Sequence, residues 1–185
     1  MTAKRIFILL ALFSAMGCGT LTSPSPAIED APKHLPLEPL RALATEIERA
    51  VAAGNREVEI ADREGLIINT PQMKQAIRTR ATRIEVLNQF RDTGHAWERR
   101  DGLIWIIRSQ AYKKSGTRRD FERNALIVLS ENRDRWTLYQ DLVKINRLPL
   151  GSVSTLQRVF AEVRNEFLNT GQKYEAESGE VVVKD

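Results

Sequence analysis

The chain has 185 residues, of which 42% are hydrophobic and 28% are charged. This composition is typical of a soluble globular protein with a hydrophobic core, and the length fits one domain with short accessory segments. The net charge of +4 falls to +2 (26 basic and 24 acidic residues) without residues 1–17, and so small an excess does not favour nucleic-acid binding. The single cysteine, Cys18, excludes an intrachain disulfide bond and a cysteine-based metal site.

Residues 1–17 have the three parts of a bacterial signal peptide. A positive head formed by Lys4 and Arg5 precedes an apolar run over residues 6–13, and a short segment with serine, alanine and glycine leads to Cys18. The apolar run is shorter than the roughly 20 residues that a transmembrane helix needs. We therefore predict that the chain is exported and that residues 1–17 are cleaved off.

The residues at the predicted cleavage site, Ala15-Met16-Gly17-Cys18, resemble the lipobox of bacterial lipoproteins. In that family the cysteine is acylated and becomes the new N-terminus, so the resemblance implies that Cys18 is the lipid-attachment residue. Gly19 stands where lipoproteins of the inner membrane have Asp, which implies anchoring to the periplasmic face of the outer membrane. Two alternatives are cleavage by the ordinary signal peptidase, which gives a soluble periplasmic protein, and a free buried cysteine.

Residues 18–36 contain four prolines and predict a tether between the lipid and a domain formed by residues 37–185. The first helical pattern of that domain covers residues 37–51 and ends at Gly54-Asn55. The second begins at Thr70-Pro71, with threonine as N-cap, and ends at Gly94. Residues 56–69 between them fit a strand or a buried helical turn equally well.

The longest helical pattern covers about residues 117–146. Thr117 and Asp120 predict a capping box at its start, and Leu148-Pro149 ends it because proline lacks the N–H that a helix needs. A last amphipathic helix follows, with Ser152 as predicted N-cap and Gly171 as its stop.

Residues 173–183 predict a short hairpin that turns at Ser178-Gly179 and packs on the helices. A further apolar run covers residues 103–107 and follows Gly102. Together these elements predict a mainly α fold, namely a small helical bundle around one long helix, about residues 117–146, with a short C-terminal β-hairpin.

Two short segments of the chain have similar sequences. Arg63-Glu64-Gly65-Leu66-Ile67 matches Arg100-Asp101-Gly102-Leu103-Ile104, and each precedes an arginine-rich amphipathic helix. Two copies are weak evidence for a duplication, because repeat architectures need at least three. We interpret the segments as a paired unit within one domain.

Several elements of residues 94–185 occur in a distinctive order: Glu98-Arg99-Arg100-Asp101-Gly102-Leu103-Ile104, Asn132, Tyr139, Asn146-Arg147-Leu148-Pro149, Val153, Gly171, Tyr174, Gly179 and residues 181–184. This half of the chain resembles the YdbL-type periplasmic proteins of Gram-negative bacteria, whose function is poorly characterised. Leu103 replaces an aromatic residue of that family, residues 108–116 resemble an insertion, and residues 37–93 have no counterpart in its short members. The resemblance implies an exported helper of an AsmA-like envelope protein in lipid traffic between the two membranes.

Few residues are suited to catalysis or metal binding. His34 on the tether and His95 after the second helix have no partners in the sequence for a catalytic triad or a metal site. Glu98 and Asp101 are the carboxylates that a peptidoglycan-active enzyme would use, but we interpret them as ion-paired or capping residues. We therefore predict no enzyme activity, no cofactor and no metal.

Eight arginines fall in three clusters that we interpret as solvated helix faces. In an alternative function, a structural lipoprotein of the cell wall, they would bind anionic lipopolysaccharide or peptidoglycan. The eight are Arg78, Arg80, Arg83, Arg99, Arg100, Arg118, Arg119 and Arg123.

Aromatic residues on both sides of Gly102 point to a binding surface rather than to chemistry. Most such residues belong to a core, but an apolar patch at residues 103–107 would accept a partner helix or a lipid chain. We expect a lipid-anchored accessory or binding protein of the envelope. Its candidate partner-contact residues are Trp97, Glu98, Gly102, Leu103, Trp105 and Tyr139.

Overall fold

The computed structural model describes residues 35–57, 59–63 and 65–185, so the predicted signal peptide, Cys18 and the tether up to residue 34 lie outside the described residues. The described part contains five helices and four short strands, which confirms the predicted mainly α fold. In chain order they are α1 (Leu37–Ala52), α2 (Pro71–Asp92), β1 (Ala96–Glu98), β2 (Ile104–Ile106), α3 (Gln110–Lys114), α4 (Arg118–Ile145), α5 (Ser152–Glu166), β3 (Lys173–Glu175) and β4 (Val181–Val183).

The long helix α4 begins where the sequence predicts. The Thr117 hydroxyl accepts a hydrogen bond from the Asp120 amide at 3.3 Å, and the Asp120 carboxylate accepts one from the Thr117 amide at 2.8 Å. These reciprocal bonds form a capping box, which satisfies two backbone N–H groups that the helix leaves unpaired. Thr70 caps α2 as predicted, since its hydroxyl accepts from the Met73 amide at 3.1 Å.

Helix α5 differs from its predicted bounds at both ends. Gly151, not Ser152, is the N-cap, because the turn after Pro149 is already closed by a bond from the Ser152 amide to the Pro149 carbonyl at 2.8 Å. The helix ends at Glu166, five residues before the predicted stop at Gly171, because the chain turns there toward β3.

The four strands form one sheet in the order β2-β1-β3-β4. β3 and β4 are the predicted C-terminal hairpin, and β1 and β2 form a second hairpin that places Trp97 opposite Trp105. The two hairpins join through a parallel pairing of β1 with β3, in which Glu98 lies opposite Tyr174. This joint sheet was not predicted, because strands of three residues are too short to show alternation.

Two apolar clusters make up the core. The larger one joins α1, α2, α5 and the C-terminal half of α4. The smaller one lies around Tyr112 of α3, a helix that the sequence pattern did not predict, and includes Phe90 of α2, Ile104 of β2 and Val128 of α4. The sheet and the N-terminal half of α4 are therefore packed separately from the main helical bundle.

The helical pattern of residues 117–146 predicts an apolar stripe that includes Leu129 and Ile145, and this prediction is partly wrong. Leu129 is 58% exposed and Ile145 is exposed too, whereas Glu131 and Arg135 are buried on the inward face. Charged residues occupy this face because each of them is paired with buried charges of other elements.

Each of the two similar segments contains a turn with glycine at positive φ, and we call them the first glycine loop (residues 63–67, described except for residue 64) and the second glycine loop (residues 100–104). Gly65 and Gly102 have φ angles of +74° and +76°, a backbone conformation that side chains other than glycine rarely adopt. The first loop closes with reciprocal backbone bonds between Arg63 and Leu66, both 2.9 Å long. In their described parts, residues 56–69 form this turn and no strand longer than one bridge.

One asparagine holds the last residue of each glycine loop. Asn146, the C-cap of α4, holds the first loop, and Asn132, within α4, holds the second. The Ile67 amide donates to Asn146 Oδ1 at 2.6 Å, and Asn146 Nδ2 donates to the Ile67 carbonyl at 2.9 Å. In the same way, the Ile104 amide donates to Asn132 Oδ1 at 2.9 Å, and Asn132 Nδ2 donates to the Ile104 carbonyl at 3.0 Å. Equivalent contacts at equivalent positions support the interpretation of the two segments as a paired unit.

Candidate functional site

Beneath the second glycine loop lies a network of buried ion pairs, which we call the charge network. It draws side chains from α1, α2, β1, α4 and α5, and none of them is more than 4% exposed. Its members are Glu48, Arg80, Arg91, Glu98, Glu131, Arg135 and Arg164. Four positive and three negative charges therefore lie inside the protein.

Glu48 of α1 binds two arginines through both of its carboxylate oxygens. Arg80 of α2 donates to it at 3.1 and 2.8 Å, and Arg164 of α5 donates at 2.9 and 3.3 Å. Bidentate bonds of this kind fix the relative orientation of the two groups as well as their distance. One carboxylate thus ties α1 to both α2 and α5.

Glu131 of α4 connects α4 to α2. Its Oε1 accepts from Arg80 Nε at 2.9 Å and from Arg135 Nε, one turn further along α4, at 2.8 Å. Its Oε2 accepts from Arg83 at 2.8 Å, and Arg83 also donates to Asp134 at 2.7 Å. Arg83 and Asp134 are partly exposed, so they form the outer edge of the charge network.

Glu98 of β1 joins the charge network to the sheet. Arg135 donates to its carboxylate at 2.6 and 3.0 Å, Arg91 pairs with it, and Arg164 donates at 3.4 Å. The carbonyl of Gly102 accepts three bonds, from Arg135 and Arg164 at 3.2 Å each and from the Tyr139 hydroxyl at 3.1 Å. The second glycine loop is therefore fixed to α4 and α5 through its backbone.

All three carboxylates of the charge network stay ionised. Burial alone would raise the pKa of Glu48, but the positive charges of Arg164 and Arg80 outweigh it and lower that pKa to about 2. Burial opposes the ionised form of Glu98 in the same way, yet Arg135, Arg91 and Arg164 hold its pKa well below the ordinary range. Glu131 follows the same pattern, with Arg80 and Arg135 as the stabilising cations.

Arg91 is the least compensated arginine of the charge network. Burial and the repulsion from Arg135 both lower the pKa of Arg91, and the attraction of Glu98 does not overcome these two effects. Its Nη1 donates to Asn88 at 2.8 Å, but its Nε has no hydrogen-bond acceptor in the described residues. The excess positive charge of the network is therefore concentrated near this side chain.

The predicted partner-contact residues fall into two groups. Glu98, Gly102 and Tyr139 are buried and hold the second glycine loop from below. The other three lie nearer the surface. Trp97 and Leu103 are half-buried, while Trp105 is 53% exposed and lies under the Arg99 guanidinium, 5.2 Å from its ring. The structure thus brings together the β1–β2 hairpin, which has a buried and an exposed side, and Tyr139 of α4, which holds it from below.

The sequence interpretation missed most of the charge network. The sequence pattern places Arg80 on a solvated helix face, but this residue is 1% exposed, because it pairs with Glu48 and Glu131. A usable signal was present in α4, where Asn132, Arg135 and Tyr139 share one helix face at i, i+3 and i+7. All three bind the strand and loop between residues 98 and 104.

Asp101, the other carboxylate considered for catalysis, is paired with Arg99 at 3.0 Å at the surface, and its Oδ1 accepts from the Leu103 amide at 3.1 Å. The interpretation of Glu98 and Asp101 as ion-paired or capping residues is therefore confirmed. Across the described ranges, no three His, Cys, Asp or Glu side chains are grouped closely enough to hold a metal ion.

The described part of the protein has two depressions, of which the smaller one reaches the charge network. A groove of about 1040 Å³ lies between α5 and the C-terminal hairpin, and a smaller cavity of about 190 Å³ reaches Glu48, Arg80, Arg91 and Arg164.

Among the helices that the structure describes, none combines the length and the apolar character that crossing a bilayer requires. Comparisons with protein-family models, with curated proteins and with solved structures found no match for this chain.

Proposed function

We propose that the chain is a lipid-anchored accessory protein of the bacterial envelope, which binds a larger envelope protein through β2 and the second glycine loop. The anchor is supported by the signal-peptide pattern and the lipobox-like residues that end at Cys18. The YdbL-like order of residues 94–185 supports an AsmA-like protein as the partner and outer-membrane lipid homeostasis as the process.

The exposure of Trp105 is the observation that carries this proposal. β2 is an outer strand of the described sheet, and Trp105 stands on it 53% exposed. An exposed tryptophan at the edge of a sheet suits a binding surface, because tryptophan is enriched among the residues that dominate binding energies. The Arg99 guanidinium, itself paired with Asp101, lies over the ring and helps to fix its orientation.

The charge network supplies the rigidity that such a surface needs. Glu98 on β1 is bound by three arginines, and the Gly102 carbonyl accepts three hydrogen bonds, so the strand that pairs with β2 and the loop before Trp105 are held from within. A surface held in its bound shape loses less conformational entropy on association. The buried charges therefore serve to present the edge strand.

Catalysis by Glu98 is the weaker alternative. A general acid must hold a proton near neutral pH, whereas three arginines keep the pKa of Glu98 far below that range. Its carboxylate is also 1% exposed and fully engaged by arginines, so a glycan has no access to it. The geometry assigns Glu98 to holding the loop.

The anchor is tested by incorporation of a labelled fatty acid in cells that make the full-length chain or its Cys18→Ala variant. We expect label in the native chain only, together with its recovery in the outer-membrane fraction. Equal labelling of the two, or recovery of both as soluble periplasmic proteins, contradicts the anchor. The soluble periplasmic alternative would then stand.

The binding surface is tested by placing a photo-crosslinking amino acid at Trp105 or at Leu150, which is 85% exposed. We expect irradiated cells to give a crosslink to an AsmA-like protein from position 105 and none from position 150. No product at position 105, or the same product at both positions, refutes the proposed surface. The Leu150 variant controls for chance encounters at an exposed apolar residue.

The groove between α5 and the C-terminal hairpin favours a second candidate function, binding to the cell wall. It is lined by basic and acidic side chains, among them Arg158 and Glu175, which suits a polymer that carries both amines and carboxylates. Asn165 also lines it and has a buried Oδ1 without a donor in the described residues.

Binding of the mature chain to purified peptidoglycan at rising salt tests this second function. Exposed charge contacts are screened over about 8 Å at physiological ionic strength, so retention should fall steeply with salt. Asn165→Leu should weaken retention, whereas Arg119→Gln, on the exposed start of α4, should leave it unchanged. Retention that is insensitive to both salt and Asn165→Leu excludes the groove.

A further inference from the structure

A small cavity opens beside the charge network, away from the second glycine loop. It has a volume of about 190 Å³ and is lined by residues of α1, α2, α5 and the segment that follows α5. The size exceeds what a single water needs and falls below the 300–1,000 Å³ typical of pockets for larger ligands. Its polar lining residues are Glu48, Arg80, Asn88, Arg91, Arg164 and Asn169.

The charge of this lining is strongly one-sided. Three arginines and one glutamate contribute to it, and the whole charge network carries four positive charges against three negative ones. Buried charges are normally paired, because an uncompensated one loses its hydration without gaining an equivalent partner. One further negative charge at this point would balance the network.

Arg91 has a hydrogen-bond donor that the described residues leave unused. The side chain is 3% exposed, its two terminal nitrogens bond to Asn88 and Glu98, and its Nε has no acceptor in the described residues. A buried donor without an acceptor carries the full cost of its desolvation. Arg91 therefore combines an unmatched hydrogen-bond donor with a position in the wall of the cavity.

We propose that this cavity binds a small oxyanion, a phosphate or carboxylate group, with Arg91 as its principal donor and Asn88 and Asn169 as neutral polar contacts. Guanidinium groups recognise both kinds of anion through pairs of N–H donors. The anion would be free in the periplasm or be the end of a larger molecule such as a lipid headgroup. This site is separate from the proposed binding surface at Trp105, so either one can fail without the other.

Isosteric substitution of Asn88 allows the proposal to be tested inside a folded protein. Asn88 Oδ1 already accepts from Arg91 Nη1 at 2.8 Å, so Asn88→Asp places a permanent negative charge beside Arg91 without a change of shape. We expect this variant to unfold at a higher temperature than the native chain in the absence of added anions. We also expect it to lose its response to them.

The experiment measures the melting temperature of the purified, lipidated chain with added phosphate, acetate or glycerol 1-phosphate, each matched in ionic strength with sodium chloride. We expect at least one oxyanion to raise the melting temperature well beyond the effect of chloride. In Arg91→Gln we expect the apparent affinity to fall at least tenfold. A larger effect of glycerol 1-phosphate than of phosphate would identify a headgroup as the source.

Arg83→Gln is the matched control, because Arg83 donates to Glu131 of the charge network but is not among the residues that line the cavity. It should lower the melting temperature and keep the anion response. If Arg91→Gln does not fold, the anion response of Asn88→Asp alone tests the proposal. The proposal is overturned if the three oxyanions act no more strongly than chloride on the native chain, or if Asn88→Asp responds to them as the native chain does.

Discussion

The two glycine loops share a glycine with positive φ and the same asparagine contact, but they rest on different kinds of interior. The first loop packs Leu66 into the apolar cluster, and its ion pair, Arg63 with Glu46, is partly exposed at the surface. In the second loop, the Gly102 carbonyl accepts hydrogen bonds from two buried arginines and from Tyr139. One backbone motif is thus stabilised by apolar burial in one place and by buried charge in the other.

This difference indicates that the two loops have different roles. Apolar packing stabilises a loop without specifying much about its orientation, whereas bidentate ion pairs fix geometry at a high cost in desolvation. The exposed Trp105 directly follows the second loop, whereas the first loop lies in the segment that joins α1 to α2. Orientation therefore matters most at the loop that we propose to bind a partner.

Removal of a charge should separate the two loops most clearly. Glu98→Ala leaves Arg91, Arg135 and Arg164 without their shared carboxylate, and we expect the free energy of unfolding to fall by about 3–5 kcal/mol. Glu46→Ala, which removes the exposed pair at the first loop, should cost about 0–1 kcal/mol. Urea unfolding followed by circular dichroism measures both, and equal losses would refute the comparison.

Acid should weaken the charge network before it affects the apolar packing. Burial opposes ionisation of Glu48, but Arg164 and Arg80 lower its pKa from an ordinary 4.5 to about 2 in the folded protein. A lowered carboxylate pKa contributes stability that is present above pH 4.5 and is lost as the pH falls toward 2, in total roughly 3 kcal/mol for Glu48. Glu48→Gln should flatten this part of the pH profile.

Hydrogen exchange can assign the acid effect to one loop. Between pH 4.5 and 2 we expect protection of the Ile104 amide, which is bonded to Asn132 next to the charge network, to decline before that of the Ile67 amide. Simultaneous loss at both amides would show that the network stabilises the whole molecule and not the second loop in particular.

The turns of these loops were predictable from the sequence, whereas the buried contacts beneath them were not. Glycine at positions 65 and 102 between polar and apolar residues indicates a turn, and both have positive φ. The capping residues of α2 and α4 were likewise predictable, because their bonds are local.

The charge network depends on contacts between residues far apart in the chain, such as Glu48 with Arg164. Periodicity distinguishes inward from outward faces only when polar residues are outside, so paired charges such as Arg80 and Arg135 are assigned to the surface. The parallel pairing of β1 with β3 was missed for a related reason, since three-residue strands gain their order from tertiary contacts.

Glycine substitution compares the space around the two turns. A Cβ at Gly102 would lie 2.8 Å from Tyr139 Oη and 3.0 Å from the Gln157 carbonyl, whereas at Gly65 the nearest atom is Pro36 Cγ at 3.7 Å. Both substitutions strain a positive φ, by about 1 kcal/mol at Gly65, and Gly102→Ala adds overpacking for a total of about 2–4 kcal/mol. Similar melting temperatures of the two variants would contradict the tighter setting of the second loop.

The asparagine contacts should show the smallest difference and the most informative coupling. Asn132→Ala and Asn146→Ala each remove a donor and an acceptor from a loop backbone, so each should cost about 1–2 kcal/mol. Asn146 has a further bond to the Leu142 carbonyl at 2.9 Å, which should place its loss at the upper end.

Combination of each asparagine variant with Glu98→Ala measures that coupling as a double-mutant cycle. Asn132 and Glu98 hold the same hairpin, so once Glu98 is gone the loss of Asn132 should cost less than it does alone. Asn146 shares no partner with Glu98, so its effect should add to that of Glu98→Ala within about 0.5 kcal/mol. Coupling of equal size in both cycles would mean that the charge network supports the two loops alike, and the second loop would lose its distinct role in presenting Trp105.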